Sequence, residues 1–311
     1  MILCAGEALI DMIPAQTLTA QGAFVPHDGG AVFNTAIALG RLGEETGMLT
    51  GLSRDMFGQQ LVTGLAASNV NTELSILSDR PTTLAFVKIT DGQASYVFYD
   101  ENSAGRMIAP EDLPVLPETV GTLYFGGISL ACEPGADTYA ALLEREGDTR
   151  AVMIDPNIRP GFIQDEARYR QRLEAMMARC DILKVSDEDL DWMSPAPATM
   201  DEKVRKLQAM GPAVVIVTLG REGAQAWLAD GSTVKVAAHL AEVVDTVGAG
   251  DTFNAGVLAQ LSQMGCLSKS GLRALTQTQA RQMLDLGARV ASITVSRAGA
   301  NAPWREELTA A

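Results

Sequence analysis

The chain has 311 residues, of which 47% are apolar and 20% charged, and its 24 basic and 38 acidic side chains give a formal net charge of −14. This mixture is typical of a folded chain that can bury a large core. The negative charge speaks against nucleic acids and anionic membrane surfaces, which bind cationic side chains, and at first sight against polyanionic nucleotides as well.

Short apolar strands alternate with alanine- and leucine-rich helical segments along most of the chain. The predicted strands are Ile2–Cys4, Thr46–Leu49, Thr122–Phe125, Val152–Ile154, Ile182–Val185 and Val214–Thr218. The predicted helices are Asn34–Leu42, Asp137–Arg145, Arg168–Arg179, Met200–Met210 and Gln279–Ala291. The alternation predicts a three-layer α/β/α fold with a mainly parallel central sheet, covered by helices on both faces. With no internal repeat or long linker, residues 1–311 are expected to form one domain.

Residues 83–99 depart from this alternation. Thr83–Ile89 and Gln93–Tyr99 flank Asp91-Gly92, which is a hairpin signal, and Ala23–His27 is also extended. We therefore expect a small antiparallel β lid built from about residues 12–28 and 82–103. Periodicity alone leaves two interpretations open, an edge hairpin of the main sheet or a lid over a ligand.

The two histidines and four cysteines exclude several kinds of site. His27 and His239 are too few and too isolated to suggest a catalytic triad or a multi-histidine metal site. The cysteines, which form no Cys-x-x-Cys pair, are Cys4, Cys132, Cys180 and Cys266. They indicate small buried side chains in a reducing compartment. The first residues lack the basic stretch of a signal peptide, and no apolar run approaches the ~18 residues of a membrane span, so we expect a cytoplasmic protein.

The segment most informative about chemistry is Val243–Gly256. An apolar strand at its start is expected to enter the turn Gly248-Ala249-Gly250, and a helix is expected to begin near Asp251. Backbone N–H groups at a helix N-terminus bind anions without any lysine. Asp251 is then either a helix cap, worth ~1 kcal/mol, or a base that takes a proton from an attacking hydroxyl.

Familiar nucleotide-binding motifs are absent from the sequence. Phe253 stands where the third glycine of a dinucleotide fingerprint belongs, which excludes a typical NAD-dependent dehydrogenase, and no Gly-Lys dipeptide forms a P-loop. The His-Arg-Asp motif of protein kinases is missing as well.

Polar residues near the amino terminus form a second candidate site. Gly29 and Gly30 precede a predicted helix, and Asn34 lies about one turn into it. These residues form either a glycine loop with a near-cap or a grip for sugar hydroxyls. Asp11 follows the apolar Ala8–Ile10, where an aspartate is usually a turn former. It becomes a ligand candidate because ligand sites form at the carboxyl ends of strands.

The glycine pair with Asn34 and the segment Asp245–Phe253 resemble, in order, the two signatures of the ribokinase-like (PfkB) carbohydrate kinases. Gly6–Asp11, residues 83–99 and Asp155–Pro160 look most like the bacterial fructokinase branch of that family. The resemblance implies an ATP- and Mg²⁺-dependent sugar kinase that converts D-fructose to fructose 6-phosphate. Kinases for 2-keto-3-deoxygluconate, ribose or a nucleoside remain open, as does a non-catalytic sugar-binding protein on this scaffold.

The resemblance also implies roles for individual residues. Asp251 is expected to be the catalytic base, and Gly248, Ala249 and Gly250 the anion hole for the transferring phosphoryl group. Sugar contacts are expected from Asp11, Gly29, Gly30, Asn34, Phe98 and Arg159. ATP contacts are expected from Asn157, Lys184, Ser186, Thr218, Gly220 and Gly223. Taken alone, Phe98 is equally well explained by lid packing, and Thr218–Gly223 by an ordinary turn. The resemblance allows a homodimer through the lid.

Two metal sites follow from the resemblance, each with a departure. The family's Asn-x-x-Glu motif, which orders Mg²⁺-bound waters, falls at Ser186–Asp189, and this leaves Glu188 or Asp189 to organise the waters. A K⁺ site would use Asp245 and the carbonyls of Val247 and Gly299, although Ala302-Pro303 stands where some relatives have a serine. The charge of −14 then describes the surface, because backbone amides and Mg²⁺ would hold the phosphates.

Overall fold

The structure is a computed structural model that describes residues 1–90 and 93–308, except for the side chains of residues 88–90 and 93–95. Its strands are β1 (Ile2–Ala5), β2 (Leu9–Gln16), β3 (Gly22–Gly29), β4 (Thr46–Leu49), β5 (Gly51–Ser53), β6 (Val70–Asn71), β7 (Ile76–Ser78), β8 (Leu84–Thr90), β9 (Gln93–Tyr99), β10 (Thr122–Gly126), β11 (Ala151–Asp155), β12 (Ile182–Ser186), β13 (Val214–Thr218), β14 (Ala224–Trp227) and β15 (Thr233–Val236). Its helices are α1 (Ala31–Arg41), α2 (Met56–Ala67), α3 (Gly135–Glu146), α4 (Glu166–Met177), α5 (Asp187–Met193), α6 (Met200–Gln208), α7 (Ala249–Gln263), α8 (Lys269–Arg273) and α9 (Gln277–Val295).

The main sheet has the strand order β15-β14-β13-β12-β11-β10-β1-β4-β6. Every pair from β6 to β13 is parallel, whereas β14 and β15 add an antiparallel edge. Because parallel strands end at the same edge, Gly126 pairs with Asp155 and Ser186 with Thr218 at the carboxyl end of the sheet. The predicted parallel sheet is confirmed, and its carboxyl edge gathers the polar residues of the site.

Alternate residues of the strands face two separate cores. In one core, Ile182 and Leu258 belong to a cluster formed with α1, α7 and α9. In the other, Leu183 and Leu173 belong to a cluster formed with α3, α4 and α6. Successive side chains of a strand point to opposite faces, so helices on both faces bury the sheet in a three-layer α/β/α arrangement, as predicted. Burial of each such leucine or isoleucine contributes roughly 1.5–3 kcal/mol relative to exposure.

A second, four-stranded sheet has the order β3-β2-β8-β9. The pairs β2/β3 and β8/β9 are antiparallel, and a parallel β2/β8 pair joins them. The predicted hairpin therefore belongs to a separate sheet and is not an edge of the main one, although its predicted turn, Asp91-Gly92, lies outside the described residues. We call the sheet formed by β2, β3, β8 and β9 the small sheet.

The predicted strand at Val243-Val244 is wrong. Residues 237–248 are irregular, and the two valines are 56% and 61% exposed. Their segment runs from β15 to α7, and the N–H groups of Val244 and Asp245 donate to the carbonyl of Val295 at the end of α9. Among the residues that the structure describes, no strand pairs with this segment, so its apolar residues form no ladder.

The cysteines are unpaired, as predicted, and three of them are buried while Cys132 is half-buried. Within the described ranges, no helix combines the length and apolarity that a bilayer crossing requires.

Candidate active site

The amino end of α7 has the form of an anion site. Gly248 is the N-cap with φ of 77°, a left-handed conformation that favours glycine, and a side chain there would overlap with Ala300. Ala249 N donates to Thr246 O and Thr252 N to Gly248 O. In the part of the chain that the structure describes, the N–H groups of Gly250 and Asp251 have no such acceptor. These two donors and the helix dipole are therefore available to an anion.

Asp251 lies in the first turn of α7 and is buried, with its side chain facing α1. Asn34 Nδ2 donates to Asp251 Oδ2 at 2.8 Å, and Thr35 Oγ1 donates to the Asp251 carbonyl at 3.1 Å. Burial raises the pKa of Asp251 to about 7, against a lowering by the Asn34 hydrogen bond, and the charge of Asp155 adds to the increase. The carboxylate makes no capping bond to α7. A carboxylate with a pKa near neutrality suits a general base better than a cap.

The Gly29-Gly30 turn brings α1 to the small sheet. Gly30 is the N-cap of α1 with φ of 107°, and a side chain at Gly29 would overlap with the Asp11 carboxylate. Asn34 does not cap α1, since its amide bonds to Asp251. Asp11 lies within β2 and not at its end, and burial raises its pKa to about 6. The turn thus places a half-buried carboxylate beside the backbone of the buried Gly29 and the half-buried Gly30, which is an arrangement that can bind a polyol.

Phe98 lies on the face of the small sheet that carries Asp11. Asp11 pairs with Ala85 and Ala85 with Phe98, and residues directly opposite in a sheet share a face. The Phe98 ring packs edge-on against Phe162 at 4.4 Å, just after the exposed Arg159. The small sheet therefore contacts the segment after β11 through Phe98 and Phe162.

A buried ion pair lies next to the anion site. Lys184 Nζ contacts Asp155 Oδ2 at 2.9 Å, and the two side chains are 6% and 2% exposed. Asn254 Nδ2 donates to the same oxygen at 2.7 Å and to the Tyr124 hydroxyl at 3.0 Å. Lys184 Nζ also lies 3.4 Å from the point where a Cβ on Gly250 would stand. A cation is therefore adjacent to the backbone that would hold a phosphoryl group.

Three members of this network were missed from the sequence: Tyr124, Asp155 and Asn254. Two of them, Asp155 and Asn254, could have been found from their positions in the sequence. Asp155 is the last residue of β11, at the carboxyl edge of the sheet, and Asn254 follows Asp251 by three residues, so both lie on one face of α7. Tyr124 is an aromatic residue inside a buried strand, and its pattern predicts only core packing.

The residues predicted to contact ATP lie within β12 (Lys184) or at and just after the carboxyl ends of β11, β12 and β13. Ser186 and Thr218 are paired in register, and Asn157 N donates to Asp155 Oδ1 at 3.2 Å. Gly220 and Gly223 flank a short turn after β13, and Gly223 packs against the carbonyl of Val236. These residues lie at the same edge of the sheet as the ion pair.

The predicted magnesium residues differ in their availability. Asp189 is buried, and its two oxygens accept hydrogen bonds from Ser186 N at 3.3 Å and Ile158 N at 3.0 Å. Glu188 is exposed in the first turn of α5. Residues 1–90 and 93–308 contain no group of three or more His, Cys, Asp or Glu that could hold a metal directly. The donors therefore suit a Mg²⁺ that keeps most of its waters.

The residues predicted for a K⁺ site are brought together by Asp245. Its Oδ1 accepts a hydrogen bond from Val247 N at 3.0 Å, and its Oδ2 accepts one from Gly299 N at 2.9 Å. The carboxylate thus ties the segment that enters α7 to the turn at Gly299. Both of its oxygens already have backbone donors.

Comparison with known proteins gives consistent matches over most of the chain. The pfkB family of carbohydrate kinases matches residues 1–307. A fructokinase of Rhizobium leguminosarum bv. trifolii is 48% identical over 281 residues, which cover 90% of this chain and 86% of that protein. A fructokinase of Klebsiella pneumoniae is 33% identical over 84% of each chain. The crystal structure of a fructokinase with bound ATP from Xylella fastidiosa superposes with a TM-score of 0.89 at 26% identity, covering 99% of this chain and 97% of that one.

Proposed function

The chain belongs to the pfkB family of carbohydrate kinases, and on that premise we propose that it transfers the γ-phosphate of ATP to the 6-hydroxyl of D-fructose. The observation that carries this proposal is the buried Asp251 carboxylate, held by Asn34 beside the unpaired amides of α7. A base next to an anion site is what phosphoryl transfer to an alcohol needs. The similarity to fructokinases supports the choice of fructose.

In the proposed reaction, Asp251 takes the proton of the 6-hydroxyl as that oxygen attacks the γ-phosphorus. The new O–P bond forms while the bond to the β-phosphate oxygen breaks, and ADP leaves with that electron pair. The amides of Gly250 and Asp251 hold the equatorial oxygens, where charge develops. Lys184, adjacent to Gly250, adds a positive charge to the same place.

We propose that residues 1–311 act as one kinase domain in which the small sheet is a lid. Asp11, the Gly29-Gly30 amides and Arg159 would bind the sugar hydroxyls, and Phe98 would cover the ring. The Phe98–Phe162 contact supports this, because it joins the small sheet to the segment after β11. Exclusion of water by the closed lid keeps water from competing with the sugar as acceptor.

Divalent and monovalent cations form part of the proposal. Mg²⁺, when bound, neutralises phosphate charge, and Glu188 is the carboxylate that would hold its waters, because Glu188 is exposed whereas Asp189 is buried. The ATP contacts are Asn157, Ser186, Thr218, Gly220 and Gly223. For K⁺, the proposed ligands are Asp245 and the carbonyls of Val247 and Gly299.

We further propose a cytoplasmic enzyme that forms a homodimer through the outer face of the small sheet. On that face the rings of Phe24, Phe86 and Tyr99 pack edge to face, with centroid distances of 5.0 and 5.4 Å. Phe24 and Tyr99 remain 47% and 59% exposed. A second copy would remove this aromatic surface from water. Light scattering on wild type and Tyr99→Lys checks it, and a monomeric wild type would contradict it.

A second candidate is a kinase for 2-keto-3-deoxygluconate. The exposed Arg159 beside the sugar site favours it, because a guanidinium can bind a substrate carboxylate. A coupled ADP-release assay with fructose, ribose, adenosine and the keto acid distinguishes the acceptors, with an acceptor-free reaction as control. We expect the highest kcat/KM for fructose. A preference for the keto acid would replace our substrate assignment, and no acceptor-dependent ADP release at all would overturn the kinase function.

A further inference from the structure

Glu7 joins three separate parts of the fold. It lies between β1 and β2, where Oε1 accepts a hydrogen bond from Ala31 N at 3.0 Å and Oε2 accepts one from Ser129 N at 3.2 Å. Its own carbonyl accepts a third, from Phe33 N at 3.2 Å. One residue therefore links the end of β1, the start of α1 and the turn that follows β10.

The start of α1 has no local substitute for this contact. Its N-cap, Gly30, has no side chain, and its first turn contains no acidic residue. A helix N-terminus is stabilised by an oxygen acceptor and by nearby negative charge. The Glu7 carboxylate supplies both from 24 residues away in the sequence.

Two neighbouring glycines, Gly30 and Gly127, lie so close to Glu7 that a side chain at either position would crowd it. A side chain at Gly127 would overlap with Glu7 Oε1, and a Cβ at Gly30 would lie 2.9 Å from the Glu7 carbonyl oxygen. Burial raises the pKa of Glu7, and the hydrogen bonds from the backbone oppose that increase. The carboxylate is thus fixed on several sides, as a positioning group must be.

We propose that Glu7 is a positioning residue that sets the Gly29-Gly30 sugar turn and, through α1, the orientation of Asn34 against Asp251. Ala31 immediately follows the Gly29-Gly30 turn and lies three residues before Asn34. A shift of the contact between Glu7 and Ala31 would therefore move both the turn and Asn34. The inference rests on the proposed sugar kinase function and extends it to a residue that does not touch the reacting atoms.

The test replaces the carboxylate by its isosteric amide, Glu7→Gln. An amide has one acceptor oxygen and one donor nitrogen, so one of the N–H groups of Ala31 and Ser129 loses its acceptor. We expect the KM for the sugar to rise by about tenfold or more and kcat to fall, because small misplacements at a reacting centre are costly. The KM for ATP should change little, and amide hydrogen exchange at residues 31–34 should become faster.

Two further variants separate positioning from simple stability. Thr276→Ala removes the N-cap of α9, whose Oγ1 accepts a hydrogen bond from Gln279 N at 3.3 Å, and should lower the melting temperature with the sugar KM unchanged. Glu7→Asp keeps the charge but is one methylene shorter, so it should give an intermediate sugar KM. It also keeps the test decisive if the amide variant fails to fold.

The hydrogen exchange measurement does not depend on which sugar is the substrate. If exchange at residues 31–34 and the sugar KM are both unchanged in Glu7→Gln, the positioning role is wrong. If no sugar is phosphorylated by the wild type while exchange at residues 31–34 responds as expected, the proposed function fails and the link from Glu7 to α1 stands.

Discussion

Asn34 and Asp251 are 217 residues apart in the sequence, and their side chains meet in a buried hydrogen bond of 2.8 Å. This contact joins the start of α1, which follows the proposed sugar turn Gly29-Gly30, to the start of α7, where we propose the anion site. The sugar side and the phosphate side of the candidate site are thereby fixed relative to each other at the group proposed to move the proton.

Protonation of Asp251 should produce an acid limb in the pH profile, a range of low pH in which the kcat/KM for the sugar falls. Burial raises its pKa to about 7 in the protein alone, so the base is increasingly protonated, and inactive, as the pH falls through that value. The kcat/KM for the sugar should therefore fall about tenfold per unit at pH values below ~7 and level off above it. Initial rates from about pH 5 to pH 9 at saturating ATP measure this. A profile that stays flat down to about pH 5.5 would contradict it.

Removal of the Asn34 amide should shift that limb. The hydrogen bond from Asn34 lowers the pKa of Asp251, so in Asn34→Ala the pKa rises further and the acid limb moves to higher pH. The sugar KM should rise as well, since a polyol contact is lost. Asn71→Ala, an exposed asparagine whose Oδ1 accepts a hydrogen bond from Glu73 N, serves as the control and should leave the profile in place. An unshifted limb in Asn34→Ala would show that the contact does not tune the base.

The buried pair Lys184–Asp155 should affect both the free energy of unfolding and the turnover with ATP. Lys184→Met leaves a carboxylate that is 2% exposed without its cation, which should cost about 3–5 kcal/mol in the free energy of unfolding. Lys235→Met, which breaks an exposed pair with Glu222, should cost far less. Urea titrations compare the two.

The double variant Lys184→Met/Asp155→Leu separates charge from packing. It should regain part of the stability lost in Lys184→Met, because no unpaired charge remains, yet its kcat should stay low. Wild-type turnover in either variant would show that Lys184 has no role in phosphoryl transfer.

Replacement of Phe98 should raise the KM for the sugar and leave the KM for ATP unchanged. Phe98→Ala removes the ring that packs against Phe162, so the sugar KM should rise several-fold while the ATP KM is unchanged. Val97 points to the opposite face of the small sheet and is 51% exposed, so Val97→Ala is the matched control. ADP release without sugar, relative to the sugar-dependent rate, should rise only in Phe98→Ala. Equal sugar KM values in the two variants would exclude the lid role of Phe98.

The sequence predicted the elements that carry a strong local pattern. The apolar strands of the main sheet and the helices between them are confirmed, because period and turn chemistry are local properties. The strand expected at Val243-Val244 is wrong for the converse reason, since a strand needs a paired neighbour and, in the described part of the chain, residues 237–248 pair with no strand. The antiparallel edge strands β14 and β15 went unnoticed because each has only four residues, in which polar and apolar side chains are mixed and no apolar run stands out.

For the candidate site, the sequence pointed to single residues and not to their partners. Asp251, Asn34 and the glycines were proposed as site residues from the two signatures, whereas Glu7 and Tyr124 were not assigned a role. Their contacts depend on side chains brought together from distant segments, such as Glu7 with Ser129 across 122 residues. No pattern within one segment contains that information.

Whether Asp251 is the base of a sugar kinase can be decided by the kcat of Asp251→Asn. The amide has nearly the same shape and can still accept the Asn34 hydrogen bond, but it cannot take a proton at neutral pH. With fructose and MgATP in a coupled ADP assay, we expect a kcat lower by about 10²–10⁴-fold, while calorimetry still detects binding of both substrates. Turnover close to that of the wild type would contradict it.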